Sequence, residues 1–220
     1  MKRQISPPIS GCIRCGTCCR KGGPVLHRED MDVLRRHPEV YEHLIVIREG
    51  ELTFNPVSGA VEPASREMLK VTGNGVAWTC HYFREEDSSC LIYAHRFLEC
   101  RILKCWKPSE ILGVIGRNLI RRFDVMNQND PLRQIIEMHE KECSLIGLKA
   151  FIDAAMFGHD VSEPLGVLSR LVAKDDAIRF HALHEIGLKP ECELFILGRP
   201  VRDMLRDAGI SIDAREPGAA

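Results

Sequence analysis

The sequence predicts a mainly α-helical protein with an irregular, cysteine-rich, loop-rich metal-binding module packed against a helical C-terminal half. Three observations carry that prediction. Eight of the ten cysteines fall between Cys12 and Cys105. The stretch that holds them is broken by glycines and turn residues and sustains no long apolar period. Beyond Trp106, apolar residues recur at the three- and four-residue steps of helices. Residues 1–106 therefore read as a cysteine-cluster module, and 107–220 as a helical region that can be continuous with it.

The elements follow in order. His27 to His37 reads as a short helix with Met31, Val33 and Leu34 as its apolar positions, stopping before Pro38. Pro38 to Ile47 reads as another helical turn or two, with proline placed early, where its missing N–H does no harm. Leu52 to Glu62, turning at Asn55-Pro56-Val57-Ser58-Gly59, reads as a hairpin. Residues 72–80 are glycine-rich and read as loop. Ser109 suits the N-cap of a helix whose apolar face is Ile111, Leu112, Ile115, Leu119, Ile120 and Phe123. Asp130-Pro131 opens a helix with Leu132, Ile135, Ile136, His139, Cys143 and Ile146 on one stripe, running to Met156. Ser162 opens the next, with Leu165, Leu168, Leu171 and Val172. Helical character continues over Ile178 to Ile186, where Gly187 suits a cap. Arg199 to Ala208 reads as a last short helix, and the tail from Asp213 as frayed. No repeat is evident.

Composition narrows the function classes. Hydrophobic residues are 45% and charged residues 28%, with a formal net charge of −1. That balance supports a core and points to neither nucleic acid nor an anionic membrane. No apolar run approaches the roughly 20 residues of a membrane span. Met1 to Pro8 begins basic, but no apolar stretch follows, so it does not read as a secretory signal. The expectation is a cytoplasmic protein, and the cytosol keeps thiols reduced. The cysteines then read as metal ligands or reactive thiols, not as a disulfide framework.

The first group is Cys12-Ile13-Arg14-Cys15-Gly16-Thr17-Cys18-Cys19. Two-residue gaps let the chain curl until successive sulfurs face one centre, and Gly16 relaxes the backbone where the curl is tightest. Three such thiols hold three corners of a tetrahedral site, so a fourth donor comes from elsewhere. The second group is Cys80, Cys90, Cys100 and Cys105. Eight thiols suit two four-thiolate sites, the complement of tetrahedral zinc or of an iron–sulfur cluster. One site plus spare thiols is the other arrangement. Arg14, Arg20 and Lys21 flank the first group, and Arg96, Arg101, Lys104 and Lys107 the second, against a single Glu99. Such cations offset the charge of about −2 left by four thiolates on Zn²⁺ or on a cluster core. The Cys-x2-Cys-x2-Cys run lacks the cysteine-proline that closes a ferredoxin motif, but zinc modules favour separated Cys-x2-Cys knuckles. The spacing favours an iron–sulfur cluster, 4Fe–4S first, with Zn²⁺ or mononuclear iron as alternatives.

These motifs resemble the YkgJ-type cysteine-cluster family, whose members are described as zinc- or iron-chelating proteins and sometimes as iron–sulfur oxidoreductases. The family's Cys-x2-Cys-x2-Cys-Cys is matched by Cys12, Cys15, Cys18 and Cys19. Its Cys-x-Ile-Tyr-x2-Arg-Pro-x2-Cys-Arg is matched by Cys90, Ile92, Tyr93, Arg96, Cys100 and Arg101, with Phe97 where the family has proline. Cys80-His81-Tyr82-Phe83 is a looser match to the element that precedes it, and Cys105 sits where many members carry a last cysteine. The resemblance covers about residues 11–106. It implies metal binding by the eight cysteines and leaves the helical half open.

Other residues carry weaker signals. His139 and Cys143 lie four apart, as ligands can, but within an apolar stripe that favours core packing. His181 and His184 lack a nearby acidic or thiol partner in sequence. Cys192 stands between glutamates, which disfavour its thiolate. His81 is an alternative to a thiol ligand, Asp175-Asp176 a helix-end or turn signal, and Tyr93 a packing or hydrogen-bonding neighbour of a sulfur. No catalytic triad order, P-loop or HExxH is present. Three functions remain from different classes. One is an iron–sulfur or iron protein of cytoplasmic redox chemistry, or accessory to a redox enzyme and working with a protein partner. Another is a zinc-stabilised protein-binding module without catalysis. The third is an enzyme, such as an iron–sulfur oxidoreductase, whose metal centre is itself the active site and keeps an open coordination position.

Overall fold

The computed structural model describes residues 12–212. The basic start of the chain and the tail from Asp213 lie outside the described residues. The helices are α1 (Met31–Arg36), α2 (Leu98–Ile102), α3 (Ser109–Leu112), α4 (Arg122–Val125), α5 (Leu132–Glu142), α6 (Leu148–Phe157), α7 (Ser162–His184), α8 (Glu193–Leu197) and α9 (Val201–Asp207). The strands are β1 (Leu44–Ile47), β2 (Leu52–Asn55), β3 (Ala60–Pro63), β4 (Met68–Val71), β5 (Gly73–Asn74), β6 (Thr79–Cys80), β7 (Phe83–Arg84) and β8 (Ser89–Cys90). Of the described residues 46% are helical, 3-10 turns included, and 13% are in strands, so the fold is mixed α/β with a helical C-terminal half, not strictly mainly α. The strand content missing from the sequence reading lies in short pairs between Leu44 and Cys90, the last of them inside the second cysteine group.

The chain groups into two units, each made of two stretches. The first unit comprises residues up to His37 together with Val71–Leu119 and contains all eight clustered cysteines. Its two stretches are joined by backbone bonds. The Arg28 N–H donates to the Asn118 carbonyl at 2.7 Å, and the Val71 N–H to the Pro24 carbonyl at 2.9 Å. Leu26, Leu34, Val71 and Phe97 are its deeply buried apolar side chains.

The second unit comprises Pro38–Lys70 and the chain from Ile120 onward. The helical reading of Pro38 to Ile47 holds only to His43, as 3-10 turns. Leu44-Ile45-Val46-Ile47 is instead strand β1, with all four residues buried. A continuous run rich in β-branched residues suits a strand covered on both faces, and here α8 packs on it. The hairpin read over Leu52 to Glu62 is β2 paired with β3, Thr53 opposite Glu62.

Two long helices in the sequence reading are broken. The one from Ser109 ends at Leu112, and Asn118 at φ 49° interrupts the remainder of its apolar stripe. The one from Asp130 stops at Glu142 and restarts at Leu148, after Gly147 takes the left-handed φ of 83°. The break turns Leu145 and Leu148 inward, onto a core with Ile152, Leu168, Val172, Val201 and Leu205. Conversely, the segments read separately from Ser162 and Ile178 are one helix, α7.

Asp175 and Asp176 are therefore mid-helix, not a helix end. Asp175 is fully buried. It accepts from His139 Nε2 at 2.6 Å, Arg179 Nε at 2.9 Å and the Val201 N–H at 2.9 Å. Burial alone pushes its carboxyl pKa up, but these donors outweigh it and hold the value at about 2. Nearby, buried Arg122 bonds Glu67 and Glu140, and buried Arg48 bonds Glu140 and the Cys143 carbonyl. Removing one member of such a pair leaves the other charged in a dry interior. Asp175→Asn is expected to cost about 3–5 kcal/mol at neutral pH in urea unfolding. A carboxyl whose folded pKa is depressed stabilises above its unfolded value and loses that contribution as pH falls through the folded one. The gap between wild type and variant should therefore narrow from about pH 4 downward.

Candidate metal centre

The first cysteine motif is a curl built on two left-handed residues. Gly16 sits at φ 74°, and a Cβ there would lie 2.3 Å from Phe83 Cζ. Glycine is thus required twice over, for conformation and for contact. Arg14 takes φ 54° without that freedom. The curl closes when the Arg20 N–H donates to the Gly16 carbonyl at 2.9 Å, leading into a 3-10 turn over Cys19–Lys21. Arg20 ties the curl to the second motif. Its Nη1 donates to the Cys15 carbonyl at 2.9 Å, and its guanidinium lies 5.1 Å from the Phe83 ring centre and pairs with Glu85 at 2.6 Å.

The second motif contains a repeat that the sequence did not reveal. β5 pairs with β6, placing Gly73 opposite Cys80. β7 pairs with β8, placing Phe83 opposite Cys90. The residue two before each cysteine, Trp78 or Ser88, has φ 52°. The residue after each donates its N–H back across the pair, His81 to the Thr72 carbonyl at 3.0 Å and Leu91 to the Tyr82 carbonyl at 2.9 Å. The two hairpins are thus one design used twice, each presenting a cysteine at the same register position. Glycine in one copy and charged residues in the other hide the likeness at the level of residue type. The stretch over 72–80 read as loop is the first of these hairpins.

Cys100 is carried by α2, which a buried polar network anchors. Asp30, fully buried, accepts from the Leu98 N–H at 2.7 Å and the His27 N–H at 3.0 Å, with Arg101 3.6 Å away. Glu99 accepts from the Val25 N–H at 2.9 Å and faces His27 Nε2 at 3.3 Å. His27 Nδ1 donates to the Arg117 carbonyl at 2.8 Å. Both ring nitrogens face acceptors. Burial pushes the His27 pKa down, but its bonds to Glu99 and the Arg117 carbonyl outweigh this and raise it. Phe97, which the motif resemblance sets against a proline, has a φ of −63°, the value proline would impose. Arg96 before it has ψ 142°, as a pre-proline residue requires. The Phe97 ring adds burial, being wholly inaccessible.

Thiols from both motifs come into electrostatic range of one another. Cys18 and Cys19 place their sulfurs 4.0 Å apart. Their shared hydrogen bond pulls Cys18 down to about 6, with a further contribution from Arg96, and drives Cys19 up. Cys19 also feels Cys80 and Cys100. Cys100 is pushed up to about 12, first by burial, then by Cys80, Glu99, Cys18 and Cys90. Cys15 is lowered by the Thr17 hydroxyl 3.2 Å away. Cys12, Cys15, Cys18 and Cys105 are exposed, Cys19, Cys90 and Cys100 half-buried, and Cys80 buried. Tyr93 does not bond a sulfur in the described contacts. Its ring instead carries Arg14 at 4.6 Å and Arg96 at 3.9 Å from its centre. A soft, anionic donor set with guanidinium groups beside it fits a thiophilic cation.

Comparison with known proteins agrees with the motifs. The CxxCxxCC family, described as a putative zinc- or iron-chelating domain, matches residues 11–128, more than half of the chain. The chain belongs to this family. Its cysteine module is accordingly of the zinc- or iron-chelating kind, and the match continues past Trp106 into the helical region. No curated protein and no solved structure matches the chain.

One tight grouping of metal-capable side chains lies elsewhere, in the second unit. His139, Cys143 and Asp175 bring their ligand atoms within 4.8 Å of one another, all buried. Sequence placed His139 and Cys143 on one stripe but offered no sign that Asp175 would join them. The geometry favours an internal ion-pair network over a metal site, because Arg179 already neutralises the carboxylate and Arg48 adds positive charge beside the thiol. Against the sequence reading, His181 does have an acidic partner, Glu185 one helical turn on at 2.9 Å, and the pair is exposed, while His184 makes a tilted ring contact with Phe180. Asp30, Glu99, His27 and Phe83 were missed as supports of the thiols. Only their positions beside the motifs hinted at a role.

Two substitutions test the supports. Gly16→Ala should cost at least about 1–2 kcal/mol from the left-handed backbone alone and lower the metal content of the purified protein. Phe97→Pro should keep wild-type metal content, since the backbone already accepts proline, while losing about 3 kcal/mol of stability with the buried ring. Metal analysis paired with urea unfolding reads both.

Proposed function

We propose that the protein is a cytoplasmic iron–sulfur or iron-binding protein that serves redox chemistry, directly or as an accessory to a redox enzyme, and works with a protein partner. The observation that carries this reading is the packing of β6, which carries Cys80, on the Cys19–Lys21 turn beside the Cys18–Cys19 sulfur pair, with Cys90, Cys100 and Arg96 in electrostatic range. These five thiols would hold the metal, with Cys12, Cys15 and Cys105 completing the eight. A bound iron–sulfur cluster supplies one-electron transfer at such a site. The chain's own contribution is to gather soft donors, offset their charge and limit water on the Cys80 side. Among the described residues no helix is long and apolar enough to cross a membrane.

A second reading has its own observation. Paired hairpins that each present one cysteine suit a structural zinc site, which draws thiols from separated short turns. Zinc would then cross-link the unit, leaving the surface for a partner protein.

One experiment separates the two. Protein purified anaerobically should be brown, contain iron and sulfide, and show a broad absorption near roughly 400 nm that bleaches on reduction and yields an electron paramagnetic resonance signal. A colourless protein with stoichiometric zinc that unfolds on chelation supports the structural reading instead.

A further inference from the structure

The thiols differ in how they are held. Cys80 and Cys90 sit in paired strands, and Cys100 on a helix anchored through buried Asp30. Cys12 and Cys15 lie on an exposed arm, the first turn of the curl, whose inner end is held where the Cys15 carbonyl accepts from Arg20 Nη1 at 2.9 Å. Within that arm the Arg14 N–H points at Cys12 Sγ, 3.4 Å away, and Cys15 faces Thr17, so both contacts are local. The group that reaches out from the arm between these cysteines is the Arg14 side chain, which lies 4.6 Å from the centre of the Tyr93 ring. The backbone at Arg14 takes a left-handed conformation that non-glycine residues adopt at a cost.

The other half of the contact is tied to the backbone. Arg96 lies 3.9 Å from the same ring centre, and its guanidinium donates to the Tyr93 carbonyl at 3.1 Å and the Cys100 carbonyl at 3.5 Å. Among the described residues neither Arg14 nor Arg96 has an ion pair with a carboxylate. Both guanidinium groups are instead spent on one half-exposed aromatic ring, and Arg96 is also close enough to influence Cys18. The ring therefore joins the arm to the segment that carries Cys90 and Cys100.

We infer that Arg14, Tyr93 and Arg96 form a latch that holds the Cys12–Cys15 arm against the remaining thiols and sets the rate at which bound metal exchanges. The inference rests on the metal-binding reading above. Cation–π contacts at exposed sites are individually weak, so the latch opens readily and reversibly. Tyr93 and the two arginines are positioning residues, since none of them need touch the metal. The inner thiols retain the ion while the arm is open, and the exposed arm gives an incoming ligand access.

The test compares metal-loaded wild type with Tyr93→Leu, Tyr93→Phe and Arg14→Gln. Transfer of metal to a chromogenic chelator is followed by stopped flow, and metal per chain is measured beforehand. Tyr93→Leu, which loses both contacts, should exchange about ten-fold faster and Arg14→Gln, which loses one, about three- to five-fold faster at unchanged metal content, while Tyr93→Phe, which keeps the ring face, should stay within about two-fold of wild type. Arg14 is exposed, so its variant carries the test even if Tyr93→Leu folds poorly. Wild-type rates in Arg14→Gln, or a Tyr93→Phe variant as fast as Tyr93→Leu, would overturn the latch. A wild-type chain that takes up neither iron nor zinc would overturn the metal reading, and the latch with it.

Discussion

Sulfur atoms brought together repel one another's charge, and the first unit is organised around that constraint. Cys100 is raised by burial and then by neighbouring thiols, Cys19 is raised by its hydrogen bond to Cys18 and by burial, and that same bond, with Arg96 adding to it, lowers Cys18. Such a set has no reason to gather without compensation. Guanidinium groups supply part of it, from Arg96 beside Cys18 and from Arg20 beside Cys15 and Cys19. A chelated zinc or iron ion would supply the rest, because it turns mutual repulsion into shared attraction.

The supporting polar network shows how the strain of assembly is met. Asp30 and Glu99 are carboxylates turned inward, and each accepts a backbone N–H from a different stretch of chain. Breaking either would leave a buried donor unsatisfied, so the contacts fix the relative position of the His27 turn and α2. Burial raises the pKa of Asp30, while the His27 and Leu98 amides oppose that rise. The second unit uses the same device on a larger scale, with Arg48, Arg122 and Arg179 threaded among buried or half-buried acids. Specific pairing, more than apolar bulk, sets the geometry in both.

Much of the candidate site was legible because its chemistry lies in residue types at short spacing. The eight cysteines, the flanking cations and the family could be read from two motifs, and the fold brings members of both motifs near each other. The hairpin over Leu52 to Glu62, the α1 helix and the last helix were legible from turn residues and periodicity. The features that escaped the sequence depended on contacts remote in it. β1 was read as helix because four apolar residues in a row satisfy either period until α8 covers them. The stripe from Ile111 to Phe123 looked helical, but Leu112 and Phe123 stay exposed and the chain turns between them. Asp175 looked like punctuation because its partners His139 and Val201 lie on other elements. The paired hairpins escaped notice because their likeness is one of backbone conformation.

Those hairpins bear on how each motif can change. In the second motif, strand pairing positions the cysteine, so residues at a hairpin tip can be added or lost while the paired ends stay in place. Sequence distance between Cys80 and Cys90 is then a loose variable. The first motif has no such tether. Its curl is set residue by residue, through the left-handed turns at Arg14 and Gly16, and one inserted residue would rotate every following sulfur away. A chain built this way tolerates drift in one half of its cysteine set and forbids it in the other, so the rigid short motif is the better signature by which distant relatives are recognised.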